Sequence, residues 1–255
     1  MWLTIGGLLN LRDLGGTPTA DGRAVRPGRL WRSENQTGLA ASDLRALVDA
    51  GLTDVIDLRT DYEVDGSPSP LEGYDGVRYH HHSFFREAED DDADILDRAL
   101  PWVGYQPEAL TGNATADSYL AFLADRPDSV LGALRAIADA PGAALVHCAV
   151  GKDRTGFTVA LALSLVGVPE EEIVADYART TERIEDVVRR LWADNTYAGE
   201  ADRAVTLDAI AAHPETMSAV LGHVRTRYGG VRTVLGELGW TDDDSDRLRR
   251  HLLGE

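Results

Sequence analysis

The chain holds a single cysteine, Cys148, and a single lysine, Lys152, among 255 residues; its other 24 cations are arginines. A lone cysteine excludes an internal disulfide and a thiolate metal cluster, and it agrees with a reducing compartment. Positive charge is scarce: 25 basic residues face 43 acidic ones, for a net charge of −18. Such a chain lacks the basic surface that non-specific contact with nucleic acid or anionic membranes requires. Neither partner is expected. No apolar run approaches the length needed to cross a bilayer, so no stable membrane insertion is expected either. The opening Met1-Trp2-Leu3-Thr4-Ile5-Gly6-Gly7 has no basic n-region and no apolar core of a Sec-type signal, which makes the cytoplasm the default location. There is no internal repeat and no long Pro/Gly/Ser-rich linker, so residues 1–255 read as one domain. Aromatic residues are only 7 % of the chain, but 44 % hydrophobic residues suffice for a substantial core.

Short β-like runs alternate with amphipathic segments, the pattern of an α/β domain with a mostly parallel central sheet flanked by helices. Strands are expected near 29–32, 53–58, 76–84 and 143–146. Helices are expected over 39–50, 128–139 and 154–166. The last is apolar nearly throughout beyond its first turn and should be central and buried. From Glu170 onward the chain reads as helical, and Thr241-Asp242-Asp243-Asp244 has the form of an N-cap followed by an acidic first turn. The acidic stretch Glu87–Asp94 reads as a solvated loop, and Trp102–Thr115 as a long loop.

The strand at 143–146 delivers the chain into His147-Cys148-Ala149-Val150-Gly151-Lys152-Asp153-Arg154-Thr155-Gly156. A strand feeding Cys-x5-Arg into a helix is a phosphate trap with a nucleophile at its centre. The residues Ala149, Val150, Gly151, Lys152 and Asp153 can curl so that backbone N–H groups point inward, joined by the positive end of the following helix. A helix N-terminus and nearby cations favour the thiolate of a cysteine, and the thiolate is the nucleophile. Arg154 offers a planar fork to two phosphate oxygens, which lysine cannot match. Thr155 can donate to the sulfur and help it leave. His147 is read as an anchor of the loop, since a thiolate in this field needs no base. A nucleotide-binding loop is rejected, because Gly151-Lys152 lacks both the upstream glycine, replaced by Val146, and a following Ser or Thr.

His-Cys-x5-Arg-Thr-Gly resembles the signature of the protein tyrosine phosphatase superfamily. The filling Gly151-Lys152-Asp153-Arg154-Thr155-Gly156 resembles an atypical bacterial branch of tyrosine and lipid phosphatases. Asn10-Leu11-Arg12-Asp13-Leu14-Gly15-Gly16, Trp31-Arg32-Ser33, Asp57-Leu58-Arg59 and Tyr228-Gly229-Gly230-Val231 also resemble that branch. The resemblance implies the cysteine-phosphatase fold with extra C-terminal helices. It also implies a lid over about 176–203, with Trp192 and Tyr197 at its tip and Ala198-Gly199 as hinge. It implies hydrolysis of phosphotyrosine, and of phosphoserine or phosphothreonine, through a phosphocysteine. The alternative is a phosphoinositide substrate, for which Lys152 would meet a second phosphate. The expected partner is therefore a phosphorylated protein or a phosphoinositide.

Expelling an alkoxide or phenoxide needs a proton donor. No Trp-Pro-Asp sequence is present; Pro101-Trp102 has the wrong order. The branch carries an aspartate inside the loop, which makes Asp153 the expected acid and Asp61 the alternative. Arg12, Asp13, Arg32, Asp57 and Arg59 are read as buried supports around the loop. No cofactor and no metal are expected: of His80, His81 and His82 on a strand, only two share a face, and no third ligand is evident.

Overall fold

The computed structural model describes residues 1–5, 7–86, 106–193 and 206–254. The acidic stretch at 87–94, Pro101-Trp102, Tyr197 of the expected lid tip and the expected hinge at Ala198-Gly199 lie outside these residues.

Five strands form one sheet: β1 (Arg12–Asp13), β2 (Leu30–Ser33), β3 (Leu52–Asp57), β4 (Arg78–His81) and β5 (Ala143–His147), in the order β1-β2-β5-β3-β4. Only β1 runs antiparallel to its neighbour. The chain is thus an α/β domain with a mostly parallel sheet between helices. A parallel strand covered on both faces must be apolar along its whole length, and Ala143-Ala144-Leu145-Val146-His147 is buried at every position. Alternation then divides the core. Val55 and Leu145, paired in register, face a cluster with Leu44, Leu47 and Trp31. Their neighbours Ile56 and Val146, also paired, face the larger cluster with Leu134, Phe157 and Leu161.

The described helices are α1 (Ala41–Asp49), α2 (Asp61–Gly66), α3 (Ala114–Asp125), α4 (Pro127–Ala138), α5 (Asp153–Leu165), α6 (Glu170–Ala178), α7 (Ile184–Trp192), α8 (Leu207–Ile210), α9 (Pro214–Tyr228), α10 (Val231–Glu237) and α11 (Asp242–Leu253). Helix α5 is the buried central helix the sequence predicts, with Phe157, Ala162 and Leu163 fully enclosed. Thr241 caps α11 and Asp244 returns the bond to the Thr241 backbone, a capping box.

Three expectations change. The strand foreseen across 76–84 shortens to β4, because this edge strand pairs only with Asp54–Asp57 of β3. Strand β1 was not foreseen; two residues carry no periodicity. The expected loop at 102–115 gives way at its end to α3, which begins at Ala114. Asn113 accepts from Ala116 N as N-cap, and Ala116, Tyr119, Leu120 and Leu123 form the buried stripe. That cap and stripe are the signals by which the sequence could have shown this helix.

Candidate active site

Strands β2, β5 and β3 all end at one edge of the sheet, and the chain leaving β5 there makes the Cys148 loop. Ligands of open parallel sheets bind at such carboxyl ends, where connections diverge. Neighbours on every side fix the loop. Asn35 N donates to Ala149 O at 3.0 Å. Asn10 Nδ2 donates to Val150 O at 3.2 Å, and Arg32 Nη2 to Gly151 O at 2.7 Å. A trans peptide points its C=O and the next N–H in opposite directions, so the N–H groups of Val150, Gly151 and Lys152 turn away from these donors. Among the described residues no acceptor takes those N–H groups or that of Asp153. Gly151 permits the turn with φ +76°, and a Cβ there would lie 2.3 Å from Ser33 O. Unmatched inward N–H groups at the start of a helix form an anion site.

Cys148 is 2 % exposed. It opens into a cleft of about 370 Å³ together with Ala149, Val150, Asp153 and Arg154. The cleft walls are Phe85, Tyr119, Phe122 and Leu191. Thr155 is fully buried, and its Oγ1 has no hydrogen-bond partner among the described residues. Glu63 of α2 grips Arg154 with both oxygens, and Leu58 O accepts from Arg154 Nη1 at 3.3 Å. Burial alone would push the Glu63 carboxyl up, but the Arg154 guanidinium brings it below the usual range. The sequence reading missed Glu63. Its signal was Thr60-x-x-Glu63, a capping box just past a strand, in which Thr60 N donates to Glu63 Oε2.

Asp153 is the first residue of α5 and 40 % exposed. Tyr119 Oη donates to Asp153 Oδ1 at 2.5 Å. Asp61, the first residue of α2, is 64 % exposed and faces His81 Nδ1 at 3.5 Å; it does not line the cleft. Lys152 Nζ donates to Ile210 O at 3.0 Å and stands 3.5 Å from Asp153 Oδ1.

Beneath the loop lies a buried ionic layer. Arg59 pairs with Asp57 through Nε and Nη2, and Tyr79 Oη donates to Asp57 Oδ2. Arg59 is fully buried and does not line the cleft. Burial pushes the His147 imidazole down to about 4, against the pull of Asp57 3.5 Å away, so it stays neutral near pH 7. A second layer joins Arg12 and Arg32 to Asp176 at 2.7 and 2.8 Å. Arg32 thereby bridges α6 and Gly151 O. Asp176 was missed; nothing in its local sequence marks it. Asp13 accepts from Gly15 N and Gly28 N, closing the connection between β1 and β2 rather than touching the loop. His80 and His81 are engaged separately, by Asp54 and by the Arg59 carbonyl.

Helix α7 seats Leu191 on Ala149, and Arg190 Nη2 lies 3.0 Å from the buried Glu34 carboxylate. No helix among the described residues is long and apolar enough to cross a membrane.

Residues 3–254 match the model of a tyrosine phosphatase family. A Cupriavidus necator protein with a provisional tyrosine-protein phosphatase name is 30 % identical over 244 residues, covering 96 % of this chain and 85 % of its own. The triple specificity protein phosphatase PtpB of Mycobacterium tuberculosis is 30 % identical over 276 residues, covering 97 % of this chain and 98 % of its own. A tyrosine-protein phosphatase of Nostoc commune is 27 % identical over 241 residues, covering 92 % and 78 %.

Proposed function

The chain belongs to the tyrosine phosphatase family, and from that premise we propose that it dephosphorylates protein phosphotyrosine through a phosphocysteine formed on Cys148. The observation that carries this reading is the set of unmatched loop N–H groups beside Cys148, in a cleft with aromatic walls.

The loop N–H groups and Arg154 bind the phosphate oxygens and stabilise the charge that spreads over them in transfer. Cys148 Sγ forms a bond to phosphorus as the bond to the leaving oxygen breaks. Asp153 supplies the proton that leaving oxygen needs; such acid catalysis is worth roughly 10²–10⁴-fold. Water then attacks phosphorus, Asp153 takes its proton, and the electron pair of the S–P bond returns to sulfur. The buried Thr155 hydroxyl is available to donate to that sulfur. Asp153 is favoured over Asp61 because it lines the cleft with Cys148. The ring of a phosphotyrosine would lie against the cleft wall of Phe85, Tyr119 and Phe122, where aromatic contacts supply binding beyond their area.

A phosphoinositide substrate is the second reading. Lys152, the sole lysine, places an additional cation in the loop itself. The test of both compares a phosphotyrosine peptide with a short-chain phosphoinositide on wild type, Cys148→Ser and Lys152→Ala. The proposal expects no turnover of either by Cys148→Ser, and kcat/KM higher for the peptide. Turnover by Cys148→Ser refutes the phosphocysteine. A preference for the lipid that collapses in Lys152→Ala establishes the second reading.

A further inference from the structure

Asp153 does not stand alone at the rim of the cleft. Tyr119 Oη lies 2.5 Å from Asp153 Oδ1 and 2.9 Å from Tyr177 Oη. A phenol carries one proton. Tyr119 gives its proton to the carboxylate, so Tyr177 must donate the second bond. The chain therefore runs Tyr177 → Tyr119 → Asp153, from the core outward. Both phenols keep their protons: burial raises Tyr119 well above its ordinary value and raises Tyr177 too, and the Asp153 charge adds to each.

The donor is held rigidly. The Tyr119 ring stacks on Phe122 and meets Phe157 and Tyr177 edge-on, with centroids 6.1 to 6.4 Å apart. Tyr177 packs against α5 itself; a Cβ on Gly156 would come within 2.7 Å of Tyr177 Cδ2. The Lys152 ammonium is also on the Oδ1 side, with Nζ at 3.5 Å. No described residue donates to Oδ2.

We propose that Tyr119 is a positioning residue: by occupying Oδ1 it leaves Oδ2 of Asp153 as the oxygen that exchanges the catalytic proton. In the first step the Oδ2 proton passes to the leaving oxygen as the P–O bond breaks. In the second, Oδ2 takes a proton from water as the water oxygen bonds to phosphorus and the S–P bond breaks, its electron pair returning to Cys148. Without the Tyr119 hydroxyl, a carboxyl at 40 % exposure turns between wells and presents either oxygen. This inference rests on Asp153 being the acid proposed above.

Tyr119→Phe keeps the ring and removes only the hydroxyl. The measurement is kcat/KM across aryl phosphates, from dinitrophenyl to phenyl. A leaving group that departs unaided needs no acid, and a poor one does. The expected loss is about tenfold or more for phenyl phosphate, against a few-fold at most for dinitrophenyl phosphate, inside the range of acid catalysis. A loss equal across the series, or none, overturns the proposal. Asp153→Asn is run beside it. If Asp153→Asn has no leaving-group dependence, the acid assignment itself fails. If Asp153→Asn has it and Tyr119→Phe does not, only the role of Tyr119 fails. Should Tyr119→Phe not fold, Tyr177→Phe is judged by the same criterion: a steeper dependence supports the chain, and a wild-type slope overturns it.

Discussion

Glu63 meets Arg154 with both carboxylate oxygens, 2.5 Å from Oε2 to Nη1 and 3.0 Å from Oε1 to Nη2, and both side chains are almost wholly buried. The two Nη groups of the Arg154 guanidinium are therefore held by a carboxylate on a different helix. Removing one member of a buried pair strands the other, at a cost of about 3–5 kcal/mol. Glu63→Ala is expected to lose stability of that order in urea unfolding and to lose kcat/KM as well. Glu63→Gln, which keeps the shape and the acceptor, should lie between. Unchanged unfolding of Glu63→Ala would show that the pair contributes nothing.

Asp176 gives a pH dependence. Burial alone would push its carboxyl up, but Arg12 and Arg32 bring it down to about 2, below the ordinary 3.8. A folded value below the unfolded one means stability that is complete above about pH 4 and lost as pH falls towards 2. The amount is about 2 kcal/mol. Asp176→Asn should be less stable at pH 7, with a smaller further decline between pH 4 and 2. The difference between the two urea-unfolding curves over that window is the measurement. Parallel curves would refute it.

Gly151→Ala faces two penalties. A residue with a Cβ at φ +76° is strained by about 1–3 kcal/mol, and that Cβ would sit 2.3 Å from a backbone oxygen of β2. The variant should lose stability and also bind inorganic phosphate, the competitive product, more weakly. Gly22→Ala is the control. Its φ is +87° but its Cβ would meet nothing within 4 Å. It should lose stability only, and its inhibition by phosphate should match wild type.

Arg32→Lys tests the bridge between α6 and the loop. One ammonium cannot reproduce a planar fork that reaches Asp176 through Nη1 and Gly151 O through Nη2. The expected result is kcat/KM lower by about tenfold, equivalent to about 1.4 kcal/mol, with Cys148 still present and reactive. Wild-type kinetics would mean the loop holds its shape through Asn10 and Asn35 alone.

Much of the fold was legible because apolar periodicity is a local property. The strands at 52–57 and 143–147 and the buried helix after Cys148 announce themselves by composition within a few residues. Strand β1 did not, because a two-residue strand exists only through its pairing with Trp31 and Arg32. Helix α3 was legible in principle from Asn113 and its apolar stripe and was missed because a long loop was expected over 102–115. Asp13 shows the opposite limit: its motif placed it among the loop supports, yet it closes a turn between β1 and β2.

The sequence by itself determined the candidate loop. Cys148, Asp153, Arg154 and the glycines sit in one short segment, where spacing along the chain is spacing in space. Only the tertiary structure decided what holds them. Tyr119 reaches Asp153 across 34 residues and Glu63 reaches Arg154 across 91. Among 43 acidic residues the Thr60-x-x-Glu63 capping box marks the start of a helix, but nothing local says that folding will set this carboxylate against Arg154. Burial at that spot makes the pairing strong, and burial is a property of the packed chain rather than of any segment in it.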